Sequence, residues 1–150
     1  MYSLSIVLNV LLTVVCIYLY RQSCLDSSTQ LLNKQQFNRD VVLKSKLRRS
    51  NDKVVIIDID KFKQVNDTRG HEHGDKIISI VSKVIQSNLR SSDRAYRIGG
   101  DEFAIVCSCA SIGHRIREEL NTHNILVSVG SGTTYREADA AMYLDKRRTL

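Results

Sequence analysis

From Tyr2 to Tyr20 the chain runs through nineteen residues, YSLSIVLNVLLTVVCIYLY, without a charge. As a helix this stretch spans roughly 28 Å, enough to cross most of the hydrocarbon core of a bilayer. Tyr18 and Tyr20 stand where an aromatic belt holds a span at headgroup level. A buried core helix and a cleaved signal peptide have similar compositions. Nothing basic precedes the run and no small-residue cleavage site follows it, which favours an uncleaved single-pass anchor over residues 1–20. About 130 residues remain, enough for one domain and too few for two.

The charges place that domain. Residues 21–50 hold seven basic side chains (Arg21, Lys34, Arg39, Lys44, Lys46, Arg48 and Arg49) against Asp26 and Asp40, a local +5 out of a net charge of +6. A basic excess beside a span marks its cytoplasmic side, so residues 21–50 read as a basic stalk and entry helix, and residues 51–150 as a domain facing the cytoplasm from the inner (cytoplasmic) membrane. The same cluster is drawn to anionic headgroups, which accounts for the basic balance without nucleic acid. A nucleic-acid partner would need basic residues interleaved with stacking aromatics on the domain itself, where the charge is nearly balanced. With 43% apolar and 25% charged residues, a disordered chain and a polytopic membrane protein are excluded. Cys16, Cys24, Cys107 and Cys109 lack C-x-x-C spacing and read as reduced thiols.

Within the domain the hydrophobic period changes repeatedly. Lys53–Asp58 (KVVIID) is a β-branched run suited to a strand buried on both faces. Ile77, Ile80, Val81, Val84, Ile85 and Leu89 recur at helical spacing, predicting an amphipathic helix from about Asp75 to Arg90. Ala95–Ile98 and Phe103–Cys107 are short strands flanking Gly99-Gly100, the composition of a hairpin turn. A helix over Ser111–Leu120, a strand over Asn124–Val129 closed by Gly130 and Gly132, and a last helix over Glu137–Arg147 follow. The order β-α-β-β-α-β predicts an α+β, ferredoxin-like domain of the palm or nucleotidyl-cyclase type, with helices on one face of an antiparallel sheet. A preceding helix is expected over residues 26–49, with Leu31, Phe37, Val41 and Leu47 as its apolar contacts.

Two groups of acids fall at strand ends. Asp58 and Asp60 close the first strand, and Asp101 and Glu102 sit on the hairpin. In this topology strand and hairpin can lie side by side, and carboxylates so gathered repel unless a cation sits between them. Oxygen ligands in low number select magnesium, with phosphate oxygens completing its coordination. Gly99 and Gly100 let a large ligand approach the backbone and permit positive φ, and Lys63 can offset phosphate charge. Asn66, His71 and Asp75 lie downstream, and an Asp or Asn side chain can read a guanine edge. Each residue has a plainer explanation: Gly-Gly as a turn, Asp75 as a helix N-cap, Asp60 as a turn cap, His71 and His73 as solvated loop histidines. The functional reading rests on their combination.

These residues resemble the GGDEF family of diguanylate cyclases. Residues 99–103 spell G-G-D-E-F. Asp58–Asp75, DIDKFKQVNDTRGHEHGD, is similar to the family's D-x-D-x-F-K-x-x-N-D-x-x-G-H-x-x-G-D. Asp26–Phe37 resembles its degenerate D-x-L-T-G-L-x-N-R-x-x-F entry, and Ala138–Lys146 its A-D-x-A-M-Y-x-A-K helix. The resemblance covers about residues 25–147.

It implies a homodimer that condenses two GTP into cyclic di-GMP with release of two pyrophosphates, using magnesium or manganese. Asp58, Asp101, Glu102 and the Ile59 carbonyl would bind metal, and Asp101 could accept the hydroxyl proton. Asn66 and Asp75 would hold guanine, with His71 beside the nucleotide. Amides around Lys61 and Phe62, with Lys146, would hold phosphates, and Lys63 would stabilise charge on the α-phosphate. Arg90 and Asp93, an R-x-x-D with five residues between it and Gly99, would form a product-inhibition site. The chain departs from the pattern at Gln30, where the family has glycine, and in a short stretch between Phe103 and Val127 that lacks room for an extra hairpin. It also lacks a phosphate-binding arginine after the last helix, for which Arg147 or Arg148 would substitute. The alternative function is a weak or inactive domain that binds GTP or cyclic di-GMP.

Overall fold

The computed structural model describes residues 2–43 and 52–149. Lys44, Lys46, Leu47, Arg48 and Arg49 of the expected stalk lie outside the described residues. Helix α1 (Tyr2–Ser23) is continuous, and its large apolar side chains from Ile6 to Tyr20 stand exposed. Among the described residues it is the one helix long and apolar enough to cross a membrane. Its end is tied down by Asn33, whose Nδ2 donates to the Ser23 carbonyl at 2.7 Å and to the Leu25 carbonyl at 3.3 Å.

Among the described residues, 26–43 do not form the single helix expected over residues 26–49. A turn leads into β1 (Leu32–Asn33), the one-turn helix α2 (Lys34–Phe37) and a π-helical segment, Asn38–Leu43. Local side chains divert the backbone: Asp26 Oδ1 accepts from the Thr29 N–H at 3.0 Å, from Thr29 Oγ1 at 2.8 Å and from Ser28 Oγ at 2.9 Å, bonds that compete with a helix. Gln30 has φ 60°, so the turn keeps a left-handed backbone where the family pattern has glycine, at a cost of about 1 kcal/mol. Leu31, Phe37 and Val41 are buried as expected.

The remaining elements are β2 (Lys53–Ile59), α3 (Phe62–Arg69), α4 (His71–Asn88), β3 (Arg94–Arg97), β4 (Glu102–Cys107), α5 (Ile112–Thr122), β5 (Val127–Gly132) and α6 (Tyr135–Thr149). The sheet order is β1-β3-β4-β2-β5. The four strands β3-β4-β2-β5 are antiparallel in the expected β-α-β-β-α-β order, and β1 adds a short parallel edge beside β3. The helices cover both faces of the sheet. Val55, Ile57 and Ile59 pack toward α4 and α5, while Val54 and Ile56 pack toward Phe37, Val41, Ala138 and Met142. A strand apolar at odd and even positions alike needs a layer on each side.

Two boundaries differ for backbone reasons. Gly70, at φ 80°, separates α3 from α4, so α4 starts at His71 and Asp75 lies inside it. Asn124, at φ 57°, turns the chain before β5, which starts at Val127 and includes Gly130 and Gly132. A Cβ on Gly130 would stand 2.0 Å from the Met142 backbone nitrogen, so this glycine lets α6 lie directly on the strand. All four cysteines are free thiols.

Candidate active site

The β2–β4 register sets Asp58 directly opposite Glu102, and the β2–β5 register sets it opposite Ser128. Asp58 follows Val54 and Ile56 on the face covered by α6 and is only 4% exposed. The hairpin is pinned beside it, with the Ile59 N–H donating to the Asp101 carbonyl at 3.2 Å. At the tip, the N–H groups of Ile98 and Gly99 both donate to the Glu102 carbonyl, at 2.9 and 3.2 Å. Neither Gly99 nor Gly100 has positive φ, so the hairpin does not use the left-handed freedom expected of them. A Cβ on Gly99 would fall 2.6 Å from Glu102 Oε2, whereas Gly100 faces open space.

Burial raises the Asp58 carboxyl above the usual range; Lys146 opposes this, and the charges of Asp101 and Asp60 reinforce it. Burial also raises Glu102, followed by the charges of Asp58, Asp101 and Asp139. Lys146, on α6, donates from Nζ to Asp58 Oδ1 at 2.6 Å. The helix is seated by its neighbour Asp145, whose Oδ2 accepts from the Val129 N–H at 2.8 Å and from Arg117. Asp60 leans on β5: its N–H donates to the Leu126 carbonyl at 3.0 Å and its Oδ1 accepts from Ser128 Oγ at 2.6 Å. Ser128 and Asp145 are the two polar residues here that the sequence reading passed over. A serine inside a strand of apolar residues was the available signal for the first.

On the other side of the turn, Lys61 adopts φ 56° and opens α3 without a side-chain cap. The leading N–H groups around Phe62 thus point to where an anion can sit. Lys63 is exposed in the same turn of helix. Asn66 packs over Gly74, where a Cβ would fall 1.9 Å from Asn66 Oδ1, and that oxygen is buried without a hydrogen-bond partner. His71, in the first turn of α4, is exposed, as is Asp75 one turn on, which therefore does not cap the helix. Arg90 and Asp93 clasp each other through the backbone: the Arg90 N–H donates to Asp93 Oδ2 at 3.0 Å and the Asp93 N–H to the Arg90 carbonyl at 3.0 Å. With Cys109 and Arg115 they border a small cavity away from the carboxylates.

The donors at the sheet end are hard oxygens, and burial raises two of the carboxyls, Asp58 and Glu102, a donor set of the chemistry that suits magnesium. Among the described residues no three His, Cys, Asp or Glu side chains are grouped so as to hold a metal ion, and the Lys146 ammonium stands at Asp58.

The family model "Diguanylate cyclase, GGDEF domain" matches residues 23–140. The chain is 35% identical over 154 aligned positions to diguanylate cyclase DosC of Escherichia coli (strain K12), covering 83% of this chain and 33% of that protein. It is 30% identical to diguanylate cyclase DgcS of Shewanella oneidensis, covering 80% of this chain and 43% of that protein. It thus spans less than half the length of these curated relatives. Among solved structures, the coiled coil and GGDEF domain of DgcB from Caulobacter crescentus in complex with c-di-GMP superposes with a TM-score of 0.82 at 26% identity, over 96% of this chain and 91% of that one. Diguanylate cyclase SiaD from Pseudomonas aeruginosa, in complex with its activator SiaC, gives 0.76 at 27% identity, over 99% of this chain and 67% of that one. With the G-G-D-E-F hairpin set against the Asp58 strand and the family model covering most of the sequence, the chain belongs to the GGDEF family of diguanylate cyclases.

Proposed function

We propose that the protein joins two GTP molecules into cyclic di-GMP with release of two pyrophosphates, as a two-fold homodimer anchored through α1 in the cytoplasmic membrane, its domain facing the cytoplasm. The observation that carries this reading is the buried Asp58 carboxylate set across the strand register from Glu102, with Asp101 beside it. Membership of a family that generally uses magnesium and binds GTP or cyclic di-GMP supports it.

The 3′-oxygen of one GTP attacks the α-phosphorus of the other, the bond to the bridging α–β oxygen breaks, and pyrophosphate leaves. The same exchange in the opposite sense closes the ring. Asp101 takes the hydroxyl proton, and Lys63 offsets the charge that grows on the α-phosphate. Lys146 and the amides around Lys61 and Phe62 hold the phosphates, aided by Arg147 or Arg148. The Asn66 oxygen, buried without a partner, and Asp75 hold the guanine, with His71 beside the nucleotide. Asp58, Asp101, Glu102 and the Ile59 carbonyl would hold magnesium, or manganese, which would supply charge neutralisation at phosphoryl oxygens and a more acidic 3′-hydroxyl. Because the product is symmetric and each domain takes one GTP, two domains must face each other. Arg90 and Asp93 bind product and limit turnover.

The Lys146–Asp58 ion pair favours a second reading, a domain that binds GTP without turning it over. The full chain in lipid nanodiscs, incubated with GTP and magnesium, separates the two. Cyclic di-GMP formation lost in Asp101→Ala supports the cyclase. GTP binding with no product at any protein concentration leaves the binding module. Product inhibition that survives Arg90→Ala would remove the inhibitory site.

A further inference from the structure

On the side of α3 and α4 away from Asn66 and Asp75 lies a groove of about 570 Å³, within the size range of small-molecule sites. Helical spacing separates the two sides. Gln64, Val65, Thr68 and Arg69 of α3 and His73, Ile77 and Ile80 of α4 line the groove, whereas Asn66 and Asp75 project from other faces of the same helices. The third wall is the connection from α5 to β5, His123–Leu126, in the stretch that is short relative to the family pattern. The floor is aliphatic: Val65, Ile77 and Ile80 are half-buried, and Leu126 is 59% exposed.

The rim is basic. Lys61, Arg69, His73 and His123 border the groove, and among the described residues neither Lys61 nor Arg69 is paired with a carboxylate. Arg69 Nη1 lies 3.5 Å from His73 Nε2, which steadies the guanidinium at the mouth and leaves its other N–H groups for a ligand. The one carboxylate in the lining, Asp60, is turned away from this role. Its Oδ1 takes the Ser128 hydroxyl and its Oδ2 is buried.

An apolar floor of this size under a cationic rim complements a molecule with an apolar body and one acidic group. We propose that the groove is a second ligand site, adjoining the phosphate end of the nucleotide site at Lys61, for a small amphipathic organic anion such as an aromatic or aliphatic carboxylate. The acid meets Arg69 and Lys61, and the body lies on Val65, Ile77, Ile80 and Leu126. The claim does not depend on cyclase activity.

The test uses the full chain in nanodiscs with methyl-labelled Ile, Leu and Val, titrated with 2-naphthoate as the anionic probe and 2-naphthamide as its neutral counterpart. The expected result is a saturable methyl shift confined to Val65, Ile77, Ile80, Ile125 and Leu126. Arg69→Glu should weaken binding about tenfold or more, the loss of one charge-assisted contact, and the amide should be weaker by a similar factor. Leu126→Asp, an exposed substitution, should abolish the shift with the remaining spectrum unchanged. No saturable shift, equal binding of the amide, or indifference to Arg69→Glu would each overturn the proposal.

Discussion

Arg97 donates from Nη2 to the carbonyl oxygen of Gly100 at 2.8 Å, gripping the tip of the G-G-D-E-F hairpin from behind. Its other amine, Nη1, reaches Asp26 Oδ1 at 3.2 Å and the Ser28 hydroxyl. One guanidinium therefore joins the turn that follows α1 to the loop that presents Asp101. The Arg97 side chain is 16% exposed; its bond to Asp26 is partly buried, while those to Ser28 and Gly100 lie at the surface. Arg97→Ala should lower unfolding stability by about 2 kcal/mol, read by denaturant titration in detergent micelles. Arg97→Lys should recover only part of this, because a lysine cannot span both acceptors as a planar fork does.

The same turn has an acid-sensitive contact. Burial would raise the Asp26 carboxyl, but hydrogen bonds from Thr29 and Ser28, with the Arg97 charge, hold it down at about 2, against 3.8 unperturbed. A depressed folded value means that the stabilisation is complete above pH 3.8 and is lost as pH falls toward about 2. Asp26→Asn should therefore flatten the acid limb of the stability profile in that window. An unchanged slope would show that Asp26 carries no linked proton.

How far these features could be read from sequence depended on whether a residue's partner lay nearby in the chain. The KVVIID run, the Gly-Gly hairpin and the α4 stripe each state their structure within a few residues, and the four antiparallel strands follow. Leu31, Phe37 and Val41 are buried as a helical stripe would be, yet Asp26, Ser28 and Thr29 bond to one another and to the backbone, which breaks the helix. Asp58, Asp101 and Glu102 were legible as motif residues. The role of Ser128 appears only through a register 68 residues away from Asp60, and that of Asp145 only through its contact with β5. The starting point of α4 depended on the φ of Gly70, which no pattern of apolar residues records.

Gly130 is a position where the fold admits no side chain. An added Cβ would meet the Met142 nitrogen at 2.0 Å, the Ala138 oxygen at 2.2 Å and the Met142 Cα at 2.6 Å, all backbone of α6. Gly130→Ala should cost roughly 3 kcal/mol and lift α6 from β5. Hydrogen exchange should then quicken through α6 while β2 and β4 stay protected. Uniform acceleration would instead mean that the whole sheet depends on that contact.

Asn66 separates a binding role from a packing role. Its Oδ1 is buried without a partner, so removing it takes away an unsatisfied acceptor rather than a bond. Asn66→Ala should leave the melting temperature unmoved or raised, while the dissociation constant for GTP, measured calorimetrically, rises about tenfold. A lowered melting temperature with unchanged GTP affinity would make Asn66 a packing residue.

Lys146 and Asp58 form the least exposed ion pair of the site, their side chains 33% and 6% exposed. Lys146→Met keeps most of the aliphatic stem but strands a nearly buried carboxylate, and should destabilise the fold by about 2 kcal/mol. In an Asp58→Asn background the same change should cost much less, since no charge is left to strand. Equal costs in the two backgrounds would mean that the ammonium contributes only its packing. Magnesium offers a third arm. If Asp58 is a metal ligand, the ion takes over the neutralising charge, and added magnesium should raise the stability of Lys146→Met more than that of the parent chain, where the ammonium must first give way. A magnesium effect of the same size in both, persisting in Asp58→Asn, would place the ion elsewhere.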